Sequence, residues 1–470
     1  MIFKERNTDA FPRFLESRFI SAFPLGISDI FWKIKGEAGR ELALSLIASG
    51  SSAPLALLSN IVLARLLGPD AYGSYMAILS LGLLASEMAA FGTGPLLTRE
   101  IAAAAPMAKI DAVRLAGSWA FRLTGILIFA IVVVLLLLFS AGLGGIPATR
   151  WPERAAISCL VVAFVWLVLV AAILAGLGQV AKSQAITNFW KNGLLLLGAV
   201  ALAFVKLPPP VSAVLSLQVM ACCGATLIGV YWIYKVCSGK IFQPSTIRRE
   251  SLEHNRMSGK WLHSAGFFFV GSAANILLAR LDVLIVSAFG GMTAAGLFAA
   301  GARISQMAMV TNTVWSAWLQ PRMAYQVHRS HMAEVLRTLR IGFAGTFLTT
   351  GAVSAVGWIF APWLMSLLGS GFTEAVQPFR WMLFGCLLWS TSVPFYVFLN
   401  MSGHETVMAR IRWIQVAITV ALCVLLVKSF GAVGAAWAWA AGMGTTSAIT
   451  IIVGLLSIRR RLKELKVSKL

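Results

Sequence analysis

The sequence predicts an all-α integral membrane protein with about twelve transmembrane helices in two six-helix bundles related by a pseudo-two-fold repeat. Three observations lead there: the composition, the recurrence of long apolar runs, and the placement of the basic residues. Of the chain, 59% is hydrophobic and only 12% charged, with a mean hydropathy of +0.82. A soluble chain carries about twice that charge fraction. Apolar runs of this length leave water by crossing a bilayer as helices, where every backbone N–H and C=O is satisfied within the segment.

The expected spans are 43–66, 71–96, 116–139, 156–177, 186–206 and 211–235 in the first half. In the second half they are 262–288, 294–318, 341–368, 376–400, 406–428 and 433–457. Each is long enough to cover about 30 Å of hydrocarbon.

The formal net charge is +21. The basic residues flank the spans, with no interleaved aromatic and basic platform, so they mark topology and not a nucleic-acid surface. One side collects Lys33, Lys35, Arg40, Arg99, Lys182, Arg322, Arg410, Arg412 and the run Arg459, Arg460, Arg461. The other collects only Arg150, Arg154, Lys206, Arg380 and Lys428. By the positive-inside rule both termini and the central loop are expected to be cytoplasmic.

The expected divisions are an N-terminal extension (1–41), a first bundle (42–235), a basic linker (236–260), a second bundle (261–457) and a basic tail (458–470). The extension has no uninterrupted apolar core and no small-residue cleavage site, unlike a signal peptide. It is compatible with an amphipathic surface segment, a disordered tail, or a start site placed too early. The six cysteines show no metal-ligand spacing and mostly sit in apolar runs, so neither a disulfide framework nor a metal site is expected. No cofactor motif appears.

Two hairpins repeat. Gly68-Pro69-Asp70-Ala71-Tyr72-Gly73-Ser74-Tyr75-Met76-Ala77 and Gly291-Met292-Thr293-Ala294-Ala295-Gly296-Leu297-Phe298-Ala299-Ala300 both fit Gly-x4-Gly-x-aromatic-x-Ala. The first glycine serves the turn, and the second lets the following helix start close to a neighbour. Gly178-Gln179 and Gly403-His404 pair at nearly the same offset. Six spans per half give a parallel repeat about the membrane normal, and such transporters hold substrate between the halves near the midplane.

Charges inside the spans are the candidate site: the bases Arg65, Arg122, Lys191, Arg280 and Arg303 and the acids Glu87 and Asp282. Arg65, Arg122 and Lys191 lie towards span ends, where snorkelling to headgroups competes with a cavity role. The other four lie deeper, where a charge costs roughly 2.5–3.5 kcal/mol and normally faces a polar cavity. Arg280 and Arg303 flank the Gly291 turn almost symmetrically, about 15 Å from its end at 1.5 Å per residue. Asp282 points to a different helix face from Arg280. It and Glu87 are open to two readings, a structural ion pair (Asp282 with Arg303) or a proton or sodium site. The surplus of positive charge suits a phosphate or diphosphate headgroup, which arginine grips bidentately.

The segment from Arg65 to Tyr75 resembles the signature hairpin of bacterial Wzx-type polysaccharide flippases, of the multidrug/oligosaccharidyl-lipid/polysaccharide (MOP) exporter superfamily. The segment around Asp282, Gly291, Gly296, Phe298 and Arg303 is similar to the matching second hairpin. Pro321 after span eight, Gly371-Phe372 before span ten, and Gly431 with Gly434 at the last helix fit the same pattern. The resemblance covers roughly residues 42–457. It implies a MATE-like fold around a cationic cavity, working by alternating access. It also implies an undecaprenyl-diphosphate-linked oligosaccharide as substrate, flipped for O-antigen, capsule or exopolysaccharide assembly. Membrane lipids, a polysaccharide polymerase and a chain-length regulator would be the partners, with no enzymatic activity. A multidrug exporter is the competing reading, and buried bases argue against cationic drugs. A polymerase or ligase fits less well, because the outer loops are short.

Overall fold

A computed structural model describes residues 52–104, 109–140, 151–204, 209–237, 251–329 and 331–467, and every regular element among them is helical. The expected extension 1–41 and the middle of the linker lie outside the described residues. Nine helices among the described residues are long and apolar enough to cross a membrane. Two of them, Pro54–Ala90 and Glu405–Leu462, each hold two spans joined at a non-helical glycine, Gly68 or Gly431. Met292–His328 has the length but a more polar sequence, because it carries Arg303, Gln306, Thr311 and Asn312. Counted with it and with the two doublings, the described residues hold twelve spans. They are numbered here in chain order.

Spans one to six pack mainly on one another, as do seven to twelve. The halves meet chiefly where spans one and two cross spans seven and eight. Several boundaries differ from the sequence expectation. The second span breaks at Phe91 and Gly92, both at positive φ, and resumes as Thr93–Ala103. Span eight runs on to His328, so Pro321 lies inside it and not after it. Span nine is Met332–Ile359, and a short helix (Ala361–Ser366) and a 3₁₀ turn (Ser370–Ala375) precede span ten, Val376–Met401. The last helix continues to Val467, into the expected tail.

The repeated hairpins explain how the halves join. Gly68 (φ 71°, ψ 172°) and Gly291 (φ 84°, ψ 171°) adopt the same backbone conformation, one nearly restricted to glycine. Pro69 then opens span two, where its missing N–H costs nothing. Gly178 (φ 84°) and Gly403 (φ 81°) likewise match. The second motif glycine acts between halves. A Cβ on Gly73 would lie 1.8 Å from the Met292 carbonyl oxygen, and one on Gly296 would lie 2.1 Å from that of Pro69. The two hairpins therefore touch backbone to backbone, each in the other's gap. Tyr72, Tyr75 and Phe298 are fully buried behind this contact. Tyr72 donates to Asn60 Oδ1 (3.1 Å) and packs edge-on against Phe372 (5.8 Å), while Tyr75 donates to Gln218 Oε1 (3.3 Å).

Gly68→Ala and Gly291→Ala are each expected to destabilise the protein by roughly 1–3 kcal/mol, because a Cβ is strained at these angles. Thermal melts of the purified variants followed by size-exclusion chromatography check this. Melting points equal to the parent in both would mean the turns are built otherwise.

Candidate functional site

Three cavities gather where the halves meet, and Arg303 on span eight lines all of them. The first lies within the first half, about 130 Å³, lined by Asn60, Tyr75, Lys191, Asn192 and Gln218 and by Arg280 and Arg303 from the second half. Another, about 290 Å³, lies between spans one, five and eight and is lined by Asn60, Asn188, Asn192 and Gln306. The third, about 300 Å³, belongs mostly to the second half and holds Asp282, Arg303, Arg412 and Gln415.

Local geometry brings the bases to these spaces. Span five starts with a short helix, Val180–Gln184, followed by a π-helical turn over Ala185–Trp190. Such a turn holds more residues than an α-turn and resets the helix face, and π-turns are frequent at functional sites. Lys191 and Asn192 follow immediately and line the cavity. The Lys191 ammonium sits 5.5 Å from the centre of the Phe164 ring. On span seven, Arg280 and Asp282 point to different sides: Arg280 into the first-half cavity, Asp282 into the second-half one. The Val283 N–H donates to Asp282 Oδ1 (2.7 Å).

Among the described residues no ion pair joins Lys191, Arg280 or Arg303 to Glu87 or Asp282. The expected pairing of Asp282 with Arg303 is therefore not formed at contact distance. An interior with three bases in shared cavities and no contact neutralisation retains a positive field, stronger in a low-dielectric medium than in water.

The other two bases lie elsewhere. Arg65 is exposed at the hairpin end, where its Nε donates to the Leu367 carbonyl and ties the first half to the second. Arg122 is exposed on span three and lines none of the three cavities. Glu87 is half-buried and also outside the cavity walls.

One cavity residue escaped sequence reasoning. Arg412 was counted with Arg410 as a loop charge, but it sits two turns into span eleven, half-buried, and lines the second-half cavity. The amides Asn60, Asn188, Asn192, Gln218, Gln306 and Gln415 were also missed. Polar residues within apolar spans are the signal that would have found them, since lipid offers them no partner.

A family model described as polysaccharide biosynthesis protein matches residues 38–325. The fold is similar to an inward-facing multidrug resistance MATE transporter of the MOP superfamily, with TM-score 0.66 and 16% identity, over 87% of this chain and 96% of that one. It is similar to the lipid II flippase MurJ in an inward closed conformation, with TM-score 0.66 and 12% identity, over 91% and 92%. It also resembles a MOP superfamily transporter from Pyrococcus furiosus whose binding pocket is described as reversed in polarity, with TM-score 0.54 and 16% identity, over 91% and 96%. At these identities the likeness shows the fold. No curated protein matches the chain.

Proposed function

Because the chain belongs to the polysaccharide biosynthesis protein family, we propose that it flips undecaprenyl-diphosphate-linked oligosaccharide from the cytoplasmic to the periplasmic leaflet by alternating access. The protein is a multi-pass membrane transporter of the MOP fold, not an enzyme. The further steps, to this cargo, to a bacterial inner membrane and to cytoplasmic termini, are our reading. One observation carries the cargo: Lys191, Arg280 and Arg303 line one interior cavity, and among the described residues no acid forms an ion pair with them. Interior bases suit a diphosphate, for which arginine supplies paired donors and lysine a point charge. The amides Asn60, Asn188 and Asn192 beside them offer neutral hydrogen bonds to the same headgroup. The polyprenyl tail stays in lipid while the headgroup crosses inside the protein. The halves, tied at the hairpin end and related by the repeat, rock about the midplane site. A cationic drug would meet repulsion here.

A deletion strain is expected to accumulate lipid-linked intermediates and to lose polymer, and the parent gene to reverse both. The double variant K191A/R280A is expected to insert normally yet restore polymer to less than about a tenth, since each lost charge-assisted contact weakens headgroup binding by a kcal/mol or more. Unchanged intermediates in the deletion strain would refute the flippase reading. Full rescue by the double variant would remove the proposed site.

A further inference from the structure

The second-half cavity has a chemistry of its own. Resting on the flippase reading, we propose that it is a sugar-reading subsite in which Arg412 selects glycans bearing an acidic group, such as a uronic acid carboxylate.

The Arg412 guanidinium is held in a fixed plane. It lies 4.5 Å from the centre of the Trp389 ring and 5.6 Å from that of Tyr396. Its Nη1 donates to Gln415 Oε1 (3.0 Å). The Gln415 amide nitrogen contacts Met443 Sδ at 3.4 Å, which keeps its oxygen turned towards the arginine. Two rings and one amide thus orient the fork, which also shares a hydrogen bond with the Tyr396 hydroxyl, in the cavity it lines. Among the described residues no carboxylate forms an ion pair with it. Asp282 shares the cavity but makes no ion pair with Arg412 at contact distance. An uncompensated guanidinium at this depth is costly, and a packing role is met more cheaply by an apolar side chain.

The surroundings favour sugar over a second phosphate. Trp439, Met309, Met382 and Met443 give the cavity apolar walls, and Asn275 and Gln306 add amides. Flat apolar walls suit the faces of a pyranose and amides suit its hydroxyls, the usual balance of a small-molecule site. At about 300 Å³ the space exceeds what one phosphate needs. The diphosphate has its own bases on the other side of span seven, at Lys191 and Arg280. Arg303, which lines both spaces, stands where the headgroup passes from phosphate to sugar.

The test uses the purified full chain in proteoliposomes and two fluorescent polyprenyl-diphosphate lipids, one headed by neutral N-acetylhexosamine and one carrying a terminal uronic acid. The readout is the fraction of headgroup reaching the opposite leaflet. R412Q is expected to slow the uronyl lipid about tenfold and the neutral lipid less than about twofold, as loss of one charge-assisted contact implies. R412K, which keeps charge but loses the fork, is expected to fall between. Transport of the neutral lipid also reports that the variant is folded. Equal slowing of both lipids by R412Q and R412K alike would assign Arg412 to the diphosphate or to packing, and overturn the proposal. So would no slowing of either. Parent protein that moves neither lipid overturns the flippase reading itself, and this one with it.

Discussion

Replacing Arg303 with alanine is expected to reduce flipping about a hundredfold, the effect of removing one partner from a desolvated charged contact. Arg303 lines all three central cavities, whereas Lys191 and Arg280 line one of them and Arg412 another. A headgroup resting in any of the three spaces therefore lies beside it. No acid holds it at contact distance among the described residues, so its donors are available. R303K is expected to recover part of the rate, because a point charge attracts a diphosphate but lacks the paired donors. The measurement is transport of a labelled polyprenyl-diphosphate lipid in proteoliposomes, with size-exclusion profiles to show intact protein. A rate for R303A within twofold of the parent would take Arg303 out of the pathway.

The membrane architecture was legible because its determinants are local. Span length follows from runs of apolar residues. The duplication was legible too, since Gly68 and Gly291 must each supply a conformation few other residues adopt. What sequence could not give was rotation. A uniformly apolar helix has almost no polar face to orient it, so nothing in the chain distinguished Arg122, which ends up exposed, from Lys191, which lines a cavity. The π-turn before Lys191 is a tertiary accommodation with no motif of its own. Arg412 was misread for a related reason. It follows Arg410 near a span end, and only its rings, Trp389 and Tyr396 from span ten, reveal that it turns inward. Gly73 and Gly296 were recognised as close-packing positions, but their partner proved to be the opposite hairpin.

That contact makes the hairpin end a gate, and locking it is expected to stop transport. Gly73 lies against Met292, Gly296 against Pro69, and a Cβ on Gly371 would lie 2.7 Å from Pro69 Cγ. Backbones this close leave no passage, so a headgroup can leave at this end only if the hairpins part. Asp70 and Thr293, both at the exposed tip and joined by a hydrogen bond of 3.1 Å, are positioned for a cross-link. In a background without the native cysteines, D70C/T293C bridged by a short bis-methanethiosulfonate reagent, which forms a disulfide with each thiol and releases sulfinate, is expected to lose nearly all flipping, and to regain it when a thiol reductant cleaves those disulfides. G73V approaches the same surface from the other side. Its side chain would collide with the Met292 carbonyl, so closure is hindered, and in the cysteine-free background a cysteine at buried Ala295 (A295C) is expected to become open to a thiol reagent. The two variants fail in opposite conformations, which separates a gating defect from general instability. Undiminished transport by the bridged protein would show that the hairpins stay together throughout the cycle, and rocking about the midplane would then have to open the molecule along another seam.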